Sequence, residues 1–296
     1  MSKHDILNRL FSGNRQIPTA PVLYLKFNEM IADPMTTHKD IADLIMKDQS
    51  MVAKILRLSN SAMYSRRREI TNVTNAITFL GLETLKNLIL QISLVRTFSF
   101  SSDELPQFSI HTFWEHSLAT AYFSSIIAGK FHLTENEDYY IGGLLHDIGK
   151  LLIYQFYPDK FKEIVLKQIH DKKMDTEAEL EAIGVDHADI GVHFARAWKF
   201  KEDIVRPIGH HHRDVKNPPL NVAVVQTANL FAKSAGLCFP WDNRSPNITG
   251  TTAWAVLSAE YGRVSHAAAP DTLVTDILEE VDKIKESISK LLEDND

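Results

Sequence analysis

Apolar residues recur at intervals of three and four along almost the whole chain, and the two residues that would interrupt such a pattern are scarce: 296 residues contain 12 Gly and 11 Pro. Ile41, Leu44 and Ile45 form one such set, Val52, Ile55 and Leu56 a second, and Leu85, Leu88, Ile89 and Ile92 a third. That period lays apolar side chains on one face of an α-helix, whereas strict alternation, the mark of a half-buried strand, hardly occurs. Few turn residues are left to join the strands of a sheet. Start and stop signals fall where the periodicity needs them. Thr37 stands three residues before Asp40 as a capping pair, Asp48 opens the next helix, and Gly81 closes the one containing Ala76, Ile77 and Leu80. The pattern predicts an all-α chain of about a dozen helices.

Two stretches lack the period. Ser99 to Thr112, with Ser101, Ser102, Asp103 and Pro106, reads as a loop between two helical halves, and Phe239 to Gly250 as a second break. The organisation expected is an N-terminal helical half over residues 1–100, a helical domain over 101–240 and a C-terminal helical extension over 241–296. In the extension, Val274, Ile277, Leu278, Val281, Ile284, Ile288 and Leu291 mark one face of a terminal helix. That helix is expected to pack on the body, with a homo-oligomer formed through it as the alternative.

Composition narrows the function classes. With 44% hydrophobic and 24% charged residues, the chain reads as an ordinary globular protein. The single cysteine, Cys238, allows no internal disulfide, and Met1 to Asp5 offers no apolar signal segment. No run approaches the about 18 apolar residues of a membrane span. The expectation is a cytoplasmic protein without membrane contact. A net charge of −6 argues against a general nucleic-acid binder. Thr37 to Ser65 can be drawn as helix, turn and helix ending in Arg66-Arg67-Arg68, but Met51 to Leu58 offers only Lys54 and Arg57 as polar readers. That unit is assigned to the core and the arginines to a solvated turn. Trp114, Tyr139, Tyr140, Phe156 and Tyr157 have helical spacing and apolar neighbours, and are assigned to the core as well.

The unusual number is 13 histidines. Gly143 to Lys150 places His146 and Asp147 side by side at the end of an apolar helix that Gly149 can terminate. His116 lies in the helix Phe113 to Ala119, His187 opens His187-Ala188-Asp189-Ile190-Gly191, and His210, His211 and His212 run together. A buried neutral imidazole needs partners for both ring nitrogens, so histidines gathered on apolar faces raise the question of a metal. The plainer readings are a surface cluster for the three neighbouring histidines and, for His116, a core imidazole bonded to a backbone carbonyl.

At these residues the sequence resembles the HD superfamily of metal-dependent phosphohydrolases, and more closely its HDOD branch, the HD-related output domain of bacterial signalling proteins. The N-terminal half carries the resemblance in Ile17-Pro18 and Pro21, Ile31-Ala32-Asp33-Pro34, Leu56 to Tyr64, and Ala76-Ile77 before Leu80-Gly81. The second half carries it in Phe113-Trp114-Glu115-His116-Ser117, Gly143 to Lys150, and Ile208 followed by His211-His212. The resemblance implies a multi-helix HD-like bundle with an additional N-terminal helical subdomain. It also implies a first metal held by His116, His146 and Asp147, and a second, bridged by Asp147, held by His187, His211 and His212. His210 fits less well. The superfamily's last ligand is an aspartate, where this sequence has Asn229, a change that removes a negative charge. Imidazoles and a bridging carboxylate suit one or two ions of Fe²⁺, Mn²⁺ or Zn²⁺. Asp147 and Lys150 are the candidate catalytic residues, Lys150 matching a lysine that contacts the phosphate in active relatives, with a solvated helix end as the plain alternative.

HDOD proteins have typically lost several of these ligands and act as signalling modules, and this sequence retains more of them than that branch leads one to expect. The reading that follows is a regulatory HDOD module that meets a protein partner in trans and retains a partly degenerate phosphohydrolase pocket able to bind divalent metal. The alternative is an active metal-dependent phosphohydrolase acting on a nucleotide or phosphodiester, a phosphorylated small molecule. The run after His212, Arg213-Asp214-Val215-Lys216-Asn217-Pro218-Pro219, lacks the GYP motif of relatives that cleave cyclic dinucleotides.

Overall fold

The structure is a computed structural model that describes residues 2–12, 17–64, 69–99, 108–134, 136–213, 215–242, 247–265 and 270–293. Seventeen helices and no strand occur among them. The first six are α1 (Lys3–Leu10), α2 (Val22–Ala32), α3 (His38–Ile45), α4 (Gln49–Ser59), α5 (Val73–Leu80) and α6 (Leu82–Thr97). Next come α7 (Ile110–Lys130), α8 (Asn136–Leu145), α9 (Ile148–Phe156), α10 (Pro158–Asp171), α11 (Asp175–Ile183) and α12 (His187–Ala197). The chain ends in α13 (Glu202–His210), α14 (Leu220–Ser234), α15 (Thr252–Ser265), α16 (Pro270–Leu278) and α17 (Val281–Leu292).

The helices gather into two compact units. One comprises Thr19–Ser99 and Glu279–Asp296, the other Met1–Pro18 and Phe100–Leu278. In the smaller unit the expected caps are present. Thr37 and Asp40 exchange side-chain and backbone hydrogen bonds as a capping box, and the Asp48 carboxylate accepts from the Met51 amide. Gly81, at φ +82°, ends α5 in a conformation that favours glycine. Met51, Ile55 and Leu58 on α4 are buried, and Lys54, expected on the polar face, is buried with them, which removes one of the two side chains a recognition helix would have needed. Arg66-Arg67-Arg68 lie outside the described residues. So do residues 100–107 and 243–246 of the two predicted breaks, whose flanks run from the end of α6 to the start of α7 and from the end of α14 to the start of α15.

The larger unit is organised around α7, which buries Phe113, Trp114, Leu118, Tyr122 and Phe123 and packs against α8, α14 and α16. Trp114 and Tyr140 are buried as expected, while Tyr139, Phe156 and Tyr157 are half-buried. The single terminal helix read from the periodicity is two: α16 packs on α7, whereas α17 packs on α4, with Ser287 bonded to Ser61 and Lys290 to the Asn60 carbonyl. Different packing partners, with no Gly or Pro between them, divide a continuous apolar stripe. Among the described residues, no single helix is long and apolar enough to cross a membrane.

Candidate metal centre

Four segments of the larger unit deliver the side chains. His116 comes from the middle of α7, and α8 stops at Leu145 so that His146 and Asp147 form a turn before α9. Gly149 therefore does not terminate the helix before it, as the sequence suggested, but lies in the first turn of the next. Its reason is different: a Cβ there would stand 2.0 Å from the His187 carbonyl oxygen, so only glycine lets α9 approach the start of α12. Asp147 occupies the N-cap position of α9, yet its carboxylate makes no capping hydrogen bond. It faces the imidazoles instead. His187 opens α12 behind the Asp186 cap, and His211 and His212 follow the end of α13.

These side chains meet in two adjoining groups that share Asp147: one with His116 and His146, the other with His187, His211 and His212. In the first group His116 Nε2 lies 3.3 Å from His146 Nε2, and Asp147 Oδ2 lies 3.5 Å from His146 and 3.7 Å from His116. In the second, His187 Nε2 lies 3.1 Å from His211 Nε2 and 3.1 Å from His212 Nε2. Asp147 Oδ1 lies 3.1 Å from His187 Nε2 and 3.4 Å from His211 Nε2, without a well-formed hydrogen bond to any group among the described residues.

The opposite ring nitrogens of His116, His146, His187 and His211 are all engaged. Nδ1 of His116 faces the Leu237 carbonyl at 2.8 Å, that of His146 the Gly143 carbonyl at 2.7 Å, and that of His211 the Ile208 carbonyl at 2.8 Å. Nδ1 of His187 faces Glu179 Oε2 at 2.7 Å, and the His187 amide donates to the same oxygen. A carbonyl or carboxylate only accepts, so each of these Nδ1 atoms is the donor, and wherever the ring is neutral its Nε2 presents a bare lone pair. Ring nitrogens converging at 3.1–3.3 Å beside a buried carboxylate need an electrophile among them, a proton or a metal ion. The donor set and the anchored Nδ1 atoms are those by which proteins hold a divalent ion.

Electrostatics agree. Burial holds His116 down at about 4, lowers His211, and keeps His146 and His212 well below the ordinary imidazole value. Burial would raise Asp147, but Lys150 and the imidazoles outweigh it and hold the carboxyl well below its usual range. Burial alone would also lower His187, and the Glu179 carboxylate lifts it instead to about 10. Lys150 is neither solvated nor free. It is buried, donates to Asp147 Oδ2 at 2.8 Å and Asp175 Oδ2 at 2.6 Å, and lies 5.2 Å from the centre of the Phe239 ring. Beside it, a cavity of about 10 Å³ lined by Gln168, Asp175, Glu179, Phe239 and Trp241 has room for about one water.

The structure thus brings together six of the predicted residues, His116, His146, Asp147, His187, His211 and His212, with Lys150 against them. His210 turns away to the Arg206 carbonyl. Asn229 is buried on α14, which packs on α7, and its Oδ1 has no hydrogen-bond partner among the described residues. Sequence reasoning missed Asp175 and Glu179, which sit in the acidic run Asp175-Thr176-Glu177-Ala178-Glu179-Leu180-Glu181. Their spacing of four, which puts both on one face of α11, was the available signal.

Asp175 gives a test of this network. Burial would raise its carboxyl, but Lys150 outweighs burial and brings it to about 2. A carboxylate with a depressed folded-state pKa stabilises fully above its unfolded value and loses that contribution as pH falls toward the folded one. Asp175→Asn is expected to lower stability by about 2 kcal/mol at pH 7, and by much less near pH 2.5. Urea midpoints of both proteins across that range provide the check, and a pH-independent difference would contradict the assignment.

Comparison with known proteins places these features in context. The family pattern described as HDOD domain matches residues 17–214. An HDOD domain protein of unknown function from Geobacter sulfurreducens has a crystal structure similar over 97% of both chains, with a TM-score of 0.81 and 25% identity. A protein of Shewanella amazonensis, provisionally named a phosphohydrolase, is similar over 97% of both chains at a TM-score of 0.72 and 21% identity, a likeness of fold. An uncharacterized protein of Treponema pallidum is 29% identical over 202 residues. That match takes in 66% of this chain, which spans only 37% of the length of that curated relative.

Proposed function

We propose that this chain, which belongs to the HDOD domain family, is a regulatory signal-transduction module built around an enclosed divalent-metal centre and acting on a protein partner. The observation that carries the reading is the state of Lys150. In the active-enzyme reading its ammonium would hold a phosphoryl oxygen, but two buried carboxylates already engage it and Phe239 covers it. Releasing it would leave Asp147 and Asp175 short of a counter-charge in a region of low dielectric, which is strongly unfavourable.

The residues that would hold the metal are Asp147, His187, His211 and His212 on one side and His116 and His146 on the other. A bound divalent ion supplies a link between the α8–α9 turn and the elements that carry these imidazoles, together with Lewis acidity toward an oxygen ligand. Glu179 orients His187, and the Leu237, Gly143 and Ile208 carbonyls orient the rings of His116, His146 and His211. Occupancy of the centre is then the quantity that a partner bound elsewhere on the larger unit would sense, because the ligands come from separate segments: α7, the α8–α9 turn, the start of α12 and the residues after α13.

A second reading, hydrolysis of a phosphorylated small molecule, draws on His212, which is half-buried where the other five ligands are buried, and so gives the centre one accessible edge. The two separate in a simple assay with p-nitrophenyl phosphate and bis-p-nitrophenyl phosphate, comparing metal-loaded wild type with Asp147→Asn. The regulatory reading expects equal rates. A wild-type rate more than about tenfold above the variant would establish the hydrolase, since a ligand's loss removes the Lewis acid's contribution.

A further inference from the structure

We infer that the centre takes one divalent ion and not two, seated on Asp147 Oδ1, His187, His211 and His212, and that Lys150 is the internal cation that keeps the His116/His146 side free of a second. The inference rests on the metal-binding reading above and adds to it where the ion sits and how many there are.

Geometry separates the two sides. Four ligands at about 2.0–2.1 Å around a tetrahedral ion stand about 3.3–3.4 Å from one another. The second group comes within a few tenths of an ångström of that figure with a full set of four donors: three contacts of 3.1 Å and one of 3.4 Å connect His187 Nε2, His211 Nε2, His212 Nε2 and Asp147 Oδ1. All four donor atoms fall within 4.8 Å of one another. The first group offers three imidazole or carboxylate donors rather than four, 3.3, 3.5 and 3.7 Å apart, and its carboxylate oxygen, Oδ2, already accepts the Lys150 ammonium at 2.8 Å. Oδ1, by contrast, is a buried acceptor with no well-formed partner.

Charge points the same way. With every imidazole neutral, as metal ligation requires, three buried carboxylates, Asp147, Asp175 and Glu179, face one buried ammonium, Lys150, which leaves the cluster with a formal charge of −2. The neighbouring Lys233 is matched by Asp242. One divalent ion neutralises the cluster. A second would leave two uncompensated positive charges in the interior, where unpaired charge is costly. The two carboxylates other than Asp147 are also asymmetrically placed: Glu179 backs His187 of the second group, and Asp175 accepts from Lys150, which occupies the Asp147 oxygen facing the first.

The experiment is zinc titration of the full chain with elemental analysis after removal of excess, followed by His212→Gln, His116→Gln and Lys150→Met. His212→Gln and His116→Gln introduce no buried charge. Expected are one zinc per chain in the wild type, an affinity lowered about tenfold or more in His212→Gln, and an affinity within about threefold of wild type in His116→Gln. Lys150→Met is expected to raise the content above one at saturation. Cobalt loading gives an independent readout, an intense visible absorption of four-coordinate Co²⁺ that persists in His116→Gln and disappears in His212→Gln. Two ions per chain in the wild type, or an ion lost with His116 and kept without His212, would overturn the inference while leaving metal binding intact. No zinc at all would remove the underlying reading, and the inference with it.

Discussion

Asp147→Asn is expected to lower affinity for a divalent ion by about 100-fold or more, beyond the loss typical of a residue that merely orients a ligand. The carboxylate is the one group common to both histidine sets, and the isosteric amide takes away its charge while preserving its volume. The same change is expected to destabilise the metal-free protein by about 3 kcal/mol, because it leaves Lys150 with a single carboxylate partner and removes the anion from beside His187 and His211. Competition with a chromophoric chelator measures the first effect, and urea denaturation in excess chelator the second. The two must be measured separately, since metal bound only by the folded state adds its own stabilisation to the wild type. An unchanged affinity would mean that metal, if bound, sits away from this carboxylate.

The helical architecture was legible because it depends on local information. Scarcity of Gly and Pro, the spacing of Ile41, Leu44 and Ile45, and the caps at Thr37 and Asp48 all act within a turn or two of themselves, and each is where the sequence places it. The clustering of the histidines was legible because motif order, through a family resemblance, brought together residues that lie as far apart as His116 and His212. Three features escaped for the opposite reason. Lys150 reads as a helix end, and only the fold shows it enclosed by Asp175 and Phe239 from later segments. Glu179 stands among Glu177 and Glu181 in an acidic helix that looks wholly solvated, and only the packing of α11 turns it toward His187. The stripe from Val274 to Leu291 has an unbroken helical period, and the break within it follows from separate packing partners that no local pattern contains. Contacts decided over long separations are the ones a periodicity cannot carry.

Gly149 carries the second large effect, and it separates geometry from donor chemistry. Gly149→Ala leaves every ligand, every charge and every hydrogen-bonding side chain of the centre in place. It adds one methyl group where the His187 carbonyl oxygen stands 2.0 Å away and the His187 Cα 2.9 Å away, and the obstacle is backbone on both sides, so no rotamer change relieves it. The start of α9 and the start of α12 must therefore separate. The expected cost is about 3 kcal/mol, at the upper end for overpacking a core. The displacement also moves His187 relative to Asp147, whose carboxylate is fixed to the same turn of α9, and opens the 3.1 Å spacing on which the second group depends. A misplacement of about 1 Å is enough to degrade such a site. Metal affinity is expected to fall about tenfold or more in the folded fraction, on the scale of losing an orienting group. Urea denaturation in chelator and a zinc competition titration read the two effects from one preparation. Lost stability with full affinity would place the ion on the His116 and His146 side, away from the displaced His187, and would contradict the single-ion assignment independently of any ligand substitution.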